Sequence, residues 1–325
     1  MTLTDLELLT VGRIGVDLYA EQLQVPLAEV RSFRKSVGGT ATNVAVAAAR
    51  LGHRSAVFTK VGDDAFGRYV RDALHHTFAV DTTFVGTHPT LRTPLAFAEL
   101  LDPAEPTIVF YREPQAPDVT LELADIDLDV VADVPILWVA AGALCAQPAR
   151  ATVQAIVAHR AARPHTIIDL DWRPVLWGGD AGAARDAIHS VLSGCTIAIG
   201  NRAECEVAVG TADPHEAAER LLACGLNAAI VKMGSQGVLV ATADGDRRLV
   251  EPYAIEPMCG LGAGDAFGGA ICHGLLVGAT LVQAAHAANA AGAIVASRLM
   301  CADDMPTLDE IQTVLAAQEP HRAAH

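Results

Sequence analysis

Short apolar runs recur along the chain, and between them the apolar positions change to a helical spacing. The runs at 8–14, 55–60, 136–140, 166–171, 195–199 and 228–232 are rich in Val, Ile and Ala. Runs that short and that uniformly apolar predict strands buried on both faces. The stretches 148–163, 181–192, 214–224, 264–277 and 283–297 carry helical patterns. Gly38-Gly39-Thr40-Ala41-Thr42-Asn43 opens a further helix at 44–51, closed by Gly52. Another follows Gly62-Asp63-Asp64 through Leu74, with Phe66, Tyr69, Val70 and Leu74 at helical spacing. Alternating segments predict half-exposed strands at 30–37 and hairpins at 93–101/107–111 and 238–242/248–253. The tail after Glu319 reads as loose. Strands alternating with helices predict a mostly parallel sheet covered on both faces. No repeat or low-complexity linker interrupts the pattern, so residues 1–325 read as one α/β domain. The strands near 16–37 and 92–112 would form a small appendage on it.

Composition narrows the partners. The net charge is −15, with no basic block, which disfavours nucleic acid and anionic membranes. Phosphates would have to be held by backbone N–H groups, a few cations and metal. Seven cysteines without C-x-x-C spacing read as reduced thiols of a cytoplasmic protein, not as a disulfide frame or zinc site. Neither a signal peptide nor a membrane span is expected.

The candidate chemistry centres on Gly260-Leu261-Gly262-Ala263-Gly264-Asp265, followed by an apolar helix. Free N–H groups and the positive end of a helix dipole would make an anion site there. Asp265 is either a general base for a hydroxyl attacking a phosphoryl group, or a helix cap. Other polar groups gather where strands end: Asp17; Asp169, Asp171 and Arg173; Asn201 and Glu204; Lys232, Gly234 and Gly237. Ligands of doubly wound sheets bind at such ends. Asn201 and Glu204 suit Mg²⁺ held through water and phosphate, or form a capping box. Arg112 could fork onto a substrate carboxylate, or be a solvated edge residue. His273 and His286 read as packed or surface histidines, and Cys259 as a small filler. There is no Walker A pattern, and Gly12-Arg13-Ile14-Gly15 is not a dinucleotide fingerprint.

Taken in order, three motifs resemble the ribokinase-like (PfkB) carbohydrate kinases. They are Gly38-Gly39-Thr40-Ala41-Thr42-Asn43 with its helix, Asn201-x-x-Glu204, and Gly262-Ala263-Gly264-Asp265-Ala266-Phe267. The resemblance covers nearly the whole chain. It implies a three-layer α/β/α domain with a mostly parallel central sheet, and a small β lid over a sugar. It implies ATP and Mg²⁺, with Asp265 as base and the N–H groups of Gly262, Ala263 and Gly264 around the transferring phosphoryl group. Asp17, Gly38, Gly39 and Asn43 would hold sugar hydroxyls. Arg112 and Arg173, with Asp171 beside them, would answer a carboxylate. Asn201 and Glu204 would organise the metal. Lys232, Gly234 and Gly237 would line the nucleotide, with Asn289 near its base.

Further stretches are similar to the branch acting on acidic keto-sugars. They include Phe110-Tyr111-Arg112-Glu113, Asp169-Leu170-Asp171-Trp172-Arg173-Pro174-Val175-Leu176-Trp177, Ser297-Arg298 and Met305-Pro306-Thr307. The expected substrate is 5-dehydro-2-deoxy-D-gluconate of inositol catabolism. The alternatives are 2-keto-3-deoxygluconate, ribose or fructose, and a catalytically silent sugar-binding regulator. Many members carry Asp-Thr-Thr before the Gly-Ala-Gly-Asp, part of which holds a monovalent cation. Here those positions are Cys259-Gly260-Leu261, so a K⁺ site does not follow from the resemblance. Exposed apolar faces on lid strands would allow a homodimer.

Overall fold

The computed structural model describes residues 5–102 and 106–322, the side chains of 318–322 excepted. The buried runs assemble into a nine-stranded sheet. Its members are β1 (Leu8–Val11), β4 (Ser55–Gly62), β5 (Val85–His88), β8 (Ile136–Ala140), β9 (Thr166–Asp169), β10 (Ile197–Asn201), β11 (Ala228–Lys232), β12 (Val238–Thr242) and β13 (Arg247–Val250). The spatial order is β13-β12-β11-β10-β9-β8-β1-β4-β5. Pairing is parallel from β11 to β5, and antiparallel across the β11-β12-β13 edge. A second, four-stranded sheet has the order β3-β2-β6-β7. It is built from β2 (Gly15–Ala20), β3 (Phe33–Gly38), β6 (Leu95–Glu99) and β7 (Thr107–Tyr111). These are the lid strands expected from 16–37 and 92–112.

Neighbouring residues of each central strand enter opposite cores, as a pleat buried on both sides requires. Leu8, Ile136, Trp138, Ile167 and Ile230 pack on one side. Leu9, Val11, Leu137, Val139, Ile168 and Val231 pack on the other. The first side is covered by α1 (Thr40–Arg50), α8 (Ala263–Leu276) and α9 (Leu281–Ala296), with α2 (Ala65–Asp72) beside the lid and α10 (Leu308–Arg322) outside α9. The second is covered by α3 (Leu128–Asp133), α4 (Ala149–Arg160), α5 (Ala181–Leu192), α6 (Arg202–Val209) and α7 (Pro214–Ala223). Helix α8 lies unusually close to its neighbours. A Cβ on Gly268 would come within 2.7 Å of the Trp138 ring, and one on Gly269 within 2.3 Å of Ala47 Cβ.

Several boundaries differ from expectation. The run 8–14 is not one strand: β1 stops at Val11, and the chain crosses to β2 in the lid. A Cβ on Gly12 would meet Ala41 Cβ at 2.8 Å, which sets the crossing point. Asp17 therefore sits inside a lid strand instead of ending the first central one. Helix α1 begins at Thr40, four residues earlier than read, so Thr40–Asn43 is its first turn. The strand read at 166–171 ends at Asp169, and that at 195–199 is displaced to Ile197–Asn201. The outer strand of the second hairpin ends at Val250. The tail read as loose continues α10 to Arg322. Part of the link between β6 and β7 lies outside the described residues.

In the lid, period-two alternation separates two faces. Ala96, Ala98, Ile108 and Phe110 point to the body of the protein. Phe97 lies edge-on to Phe33 and Tyr111 at centroid distances of 5.3 Å on the opposite face. All seven cysteines are free. Among the described residues no helix is long and apolar enough to cross a membrane.

Candidate active site

Helix α8 starts from Gly262, whose φ of 81° is left-handed and whose missing side chain faces Cys301; a Cβ there would lie 2.5 Å from Cys301 Sγ. No side chain caps this end. Its N–H groups are left for a ligand. The helix end lies where two cavities meet. Gly262 and Asp265 line one, beneath the lid. Gly260, Ala263 and Gly264 line the other, an open cleft of about 720 Å³.

Asp265 is half-buried, and its Oδ2 accepts from Asn43 Nδ2 at 2.7 Å. The close packing of α8 on α1 produces that contact, because it sets the first turns of the two helices side by side. Asn43 Oδ1 is buried and has no partner among the described residues, so one acceptor awaits a donor. The Asp265 carboxyl is pushed up to about 6, first by burial and then by the Asp171 charge. Asn43, Arg173 and Lys232 pull it the other way. Such a group is mostly ionised at neutral pH yet more basic than an ordinary carboxylate, which suits a general base.

Under the lid, Asp17 accepts from the Tyr19 hydroxyl at 3.1 Å, and burial pushes it up to about 6. Gly38 makes room for it: a Cβ there would fall 2.0 Å from Asp17 Oδ1. Gly39, with φ 106°, comes so close to Arg13 that a Cβ would lie 2.3 Å from its carbonyl oxygen. Arg173 lines the same cavity with its side chain 40% exposed.

Asp171 does not reach the cavity surface. It is an anchor, accepting from Arg13 Nη2 at 3.1 Å, Thr40 Oγ1 at 3.1 Å and Arg173 Nε at 3.3 Å. Burial would raise its carboxyl, but Arg13 and Arg173 hold it below the usual range. Arg112 is likewise committed. Its Nη1 and Nη2 fork onto buried Asp118 at 3.1 and 2.5 Å, and it borders a small recess beside Arg13 and Phe110 without lining the Asp265 cavity.

In the open cleft, Lys232, Gly234, Gly237 and Asn289 come together. Asn289 Nδ2 donates to the Glu251 carbonyl at 2.9 Å. Asn201 and Glu204 form the capping box. Glu204 N donates to Asn201 Oδ1 at 2.9 Å, and Asn201 N donates to Glu204 Oε2 at 2.6 Å. Neither residue lines either cavity. Glu204 Oε2 also stands 4.0 Å from Lys232 Nζ. Behind them Asp169 is pushed up to about 8, chiefly by burial, with Lys232 opposing and Glu204 adding to the rise. Among the described residues no group of three or more His, Cys, Asp or Glu could hold a metal ion. A metal here would rely on phosphate and water, with Glu204 at most an outer partner.

Sequence reasoning missed Arg13, Tyr19, Thr40 and Cys301, all of which line the cavity beneath the lid. An arginine inside an apolar run between two glycines was the available signal for Arg13.

The family model described as "pfkB family carbohydrate kinase" matches residues 5–308. The chain belongs to the pfkB family of carbohydrate kinases. It is 32% identical over 321 residues to the 5-dehydro-2-deoxygluconokinase of Photobacterium profundum, covering 97% of this chain and 96% of that one. With the 5-dehydro-2-deoxygluconokinase of Geobacillus thermodenitrificans it shares 32% identity, over 94% of this chain and 92% of the other. Among solved structures it resembles an E. coli protein assigned as Ribokinase II, in complex with ATP and Mg²⁺. The TM-score is 0.86 at 25% identity, over 96% of this chain and 99% of the other. A double mutant of the Vibrio cholerae fructokinase, bound to fructose, ADP and potassium ion, gives a TM-score of 0.82 at 26% identity, over 96% and 99%.

Proposed function

We propose that this pfkB kinase transfers the γ-phosphoryl group of ATP to a primary hydroxyl of an acidic keto-sugar, 5-dehydro-2-deoxy-D-gluconate. The observation that carries the reading is the position of Asp265, which lines the lid cavity from the same helical turn whose Ala263 and Gly264 line the open cleft. The sugar would lie under the lid, its hydroxyls on Asp17, the Gly39 backbone and Asn43, whose Oδ1 lacks a partner. Asp265 takes the proton of the attacking hydroxyl. The N–H groups of Gly262, Ala263 and Gly264 stabilise charge on the phosphoryl group in flight. The nucleotide would occupy the open cleft against Gly234, Gly237 and Asn289. Mg²⁺, when bound, neutralises phosphate oxygens, and Glu204 and Asn201 would support its water shell. Ala96, Ala98, Ile108 and Phe110 keep water from the reacting centre. Cys259, Gly260 and Leu261 bring no side-chain oxygen to their loop, so we assign it no K⁺ site.

The carboxylate of the substrate falls to Arg173. Its guanidinium is exposed to the lid cavity and held by Asp171, while Arg112 is occupied by Asp118. Burial would lower the Arg173 guanidinium, but Asp171 and Glu204 keep it firmly charged. A charge-assisted hydrogen bond contributes about 1.5–3 kcal/mol. Arg173→Ala is therefore expected to raise KM for the acidic sugar roughly 10–100-fold, and KM for a neutral sugar by under about 3-fold. Equal rises for both would remove the carboxylate role. The relatives named for this substrate support it over 2-keto-3-deoxygluconate, the second choice.

The outward lid face presents Tyr111, 61% exposed, and Val109, 37% exposed. We assign it to a homodimer. Light scattering should give twice the chain mass, and Tyr111→Lys should give one; a monomeric wild type would refute the dimer.

A further inference from the structure

Side chains alternate along β2, so Asp17 and Tyr19 project from the same face of that strand. Both line the lid cavity; Asp17 is half-buried, and Tyr19 is fully buried. A phenol carries one proton. The Cys301 N–H lies 3.2 Å from the Tyr19 oxygen and can only donate, so the oxygen accepts there. Its own proton then goes to Asp17 Oδ2, at 3.1 Å. The hydrogen bonds therefore run in one direction, from Cys301 through Tyr19 to Asp17. Their far end belongs to the body of the protein, not to the lid. Cys301 packs against Gly262 at the start of α8, Met300 N donates to Asp304 Oδ2 at 2.7 Å, and Asp303 accepts from Ser36 of β3. Asp17 takes no other hydrogen bond among the described residues, and its Oδ1 lies beside Gly38. A carboxylate free to turn could offer either oxygen to the cavity; the phenol occupies one and leaves the other.

We infer that Tyr19 is a positioning residue: it ties one oxygen of Asp17 to the body of the protein, so that the other meets the sugar hydroxyls in a single orientation. The inference rests on the reading of Asp17 as a sugar ligand and adds the group that sets its geometry. The same hydrogen bond keeps the carboxylate ionised. Burial pushes Asp17 up to about 6, and Tyr19, ahead of Arg13 and Arg173, holds it from rising further. Its other charged or titratable neighbours are Lys35 of β3 over the Tyr69 ring of α2, Asp303 on Ser36, Cys259, Cys301 and, lining the same cavity, Asp265. Burial pushes Tyr69 up to about 12 and Cys259 up to about 11, and raises Cys301 well beyond the ordinary thiol range, so these three keep their protons near neutrality. Asp17 serves the sugar as an acceptor, so affinity is present above its pKa and lost as pH falls through it. Without the phenol that value rises, and the loss begins at a higher pH.

The test uses the full-length Asp265→Asn chain, in which the other carboxylate of the cavity no longer titrates, with and without Tyr19→Phe. Calorimetry gives the Kd of 5-dehydro-2-deoxygluconate across a pH series from acid to mildly alkaline. The expected midpoint for loss of sugar affinity is about 6 with Tyr19 present, and about one pH unit or more higher in Tyr19→Phe. In the otherwise wild-type chain, Tyr19→Phe should raise KM for the sugar about 5–20-fold and leave kcat at saturating sugar within about 3-fold. A role in packing alone would lower the unfolding temperature and leave the midpoint in place. That result in a folded Tyr19→Phe would overturn the inference and leave the kinase reading intact. An Asp17→Asn chain that keeps its sugar affinity would overturn the reading of Asp17 as a sugar ligand, and the inference with it.

Discussion

Asp265→Asn is expected to lower turnover about 10³-fold, within the 10²–10⁴ range of general-base contributions, with little change in the Kd of ATP or sugar. The amide keeps the size of the carboxylate and can still meet Asn43, but it cannot accept the hydroxyl proton. The pH profile gives a second mark. The base acts as carboxylate, so its raised value of about 6 means that wild-type kcat/KM falls as pH drops through about 6. Asp17, also near 6, adds to that limb. In Asp265→Asn the limb due to Asp265 disappears and only the Asp17 share stays. Single-turnover kinetics, calorimetry and a pH series check these together. Turnover within a few-fold of wild type would remove Asp265 from the base role.

Gly262→Ala is expected to lower kcat about 10²-fold, the cost of displacing one preorganised anion-hole donor. Two strains act on the same residue. A non-glycine residue in left-handed backbone costs about 1–2 kcal/mol. The new methyl would also press on Cys301 Sγ, at 2.5 Å. Either relaxation tilts the first N–H groups of α8 away from the phosphoryl position. Cys301→Ala in the same chain removes the contact but not the backbone strain, so the double variant should regain part of the activity and part of the lost thermal stability. Initial rates and thermal unfolding of the three variants measure this. A Gly262→Ala enzyme within about 3-fold of wild type would show that the hole does not depend on this conformation.

The central strands were legible because residues such as Ile136–Ala140 and Ala228–Lys232 are buried on both sides, which leaves an uninterrupted apolar run. The same property hid the change of sheet at Gly12. Val11, Ile14 and Val16 are all buried, so nothing in the periodicity marks where one sheet ends and the lid begins. The early start of α1 escaped for a related reason: Thr40–Asn43 packs against the core despite three polar residues. At the site, Asp265, Asn43 and Asp17 were found from motifs, and the fold brings them to one cavity. Asp171 and Arg112 were found as charged residues at strand ends, but chemistry by type does not reveal which partner the fold turns toward them. Arg13, remote in sequence, claims the first, and Asp118, brought round by the turn after β7, claims the second. Asn201 and Glu204 could be read two ways, and the local capping box is formed, since its spacing satisfies backbone groups at no cost in distance.

The most direct measurement of the central claim is ADP release by the wild-type chain with ATP·Mg²⁺ and a panel of 5-dehydro-2-deoxygluconate, 2-keto-3-deoxygluconate, ribose and fructose. The predicted result is sugar-dependent turnover with kcat/KM for 5-dehydro-2-deoxygluconate about 100-fold or more above the neutral sugars, as a paired carboxylate implies. Turnover preferring a neutral sugar, or ADP release that no sugar stimulates, would contradict it.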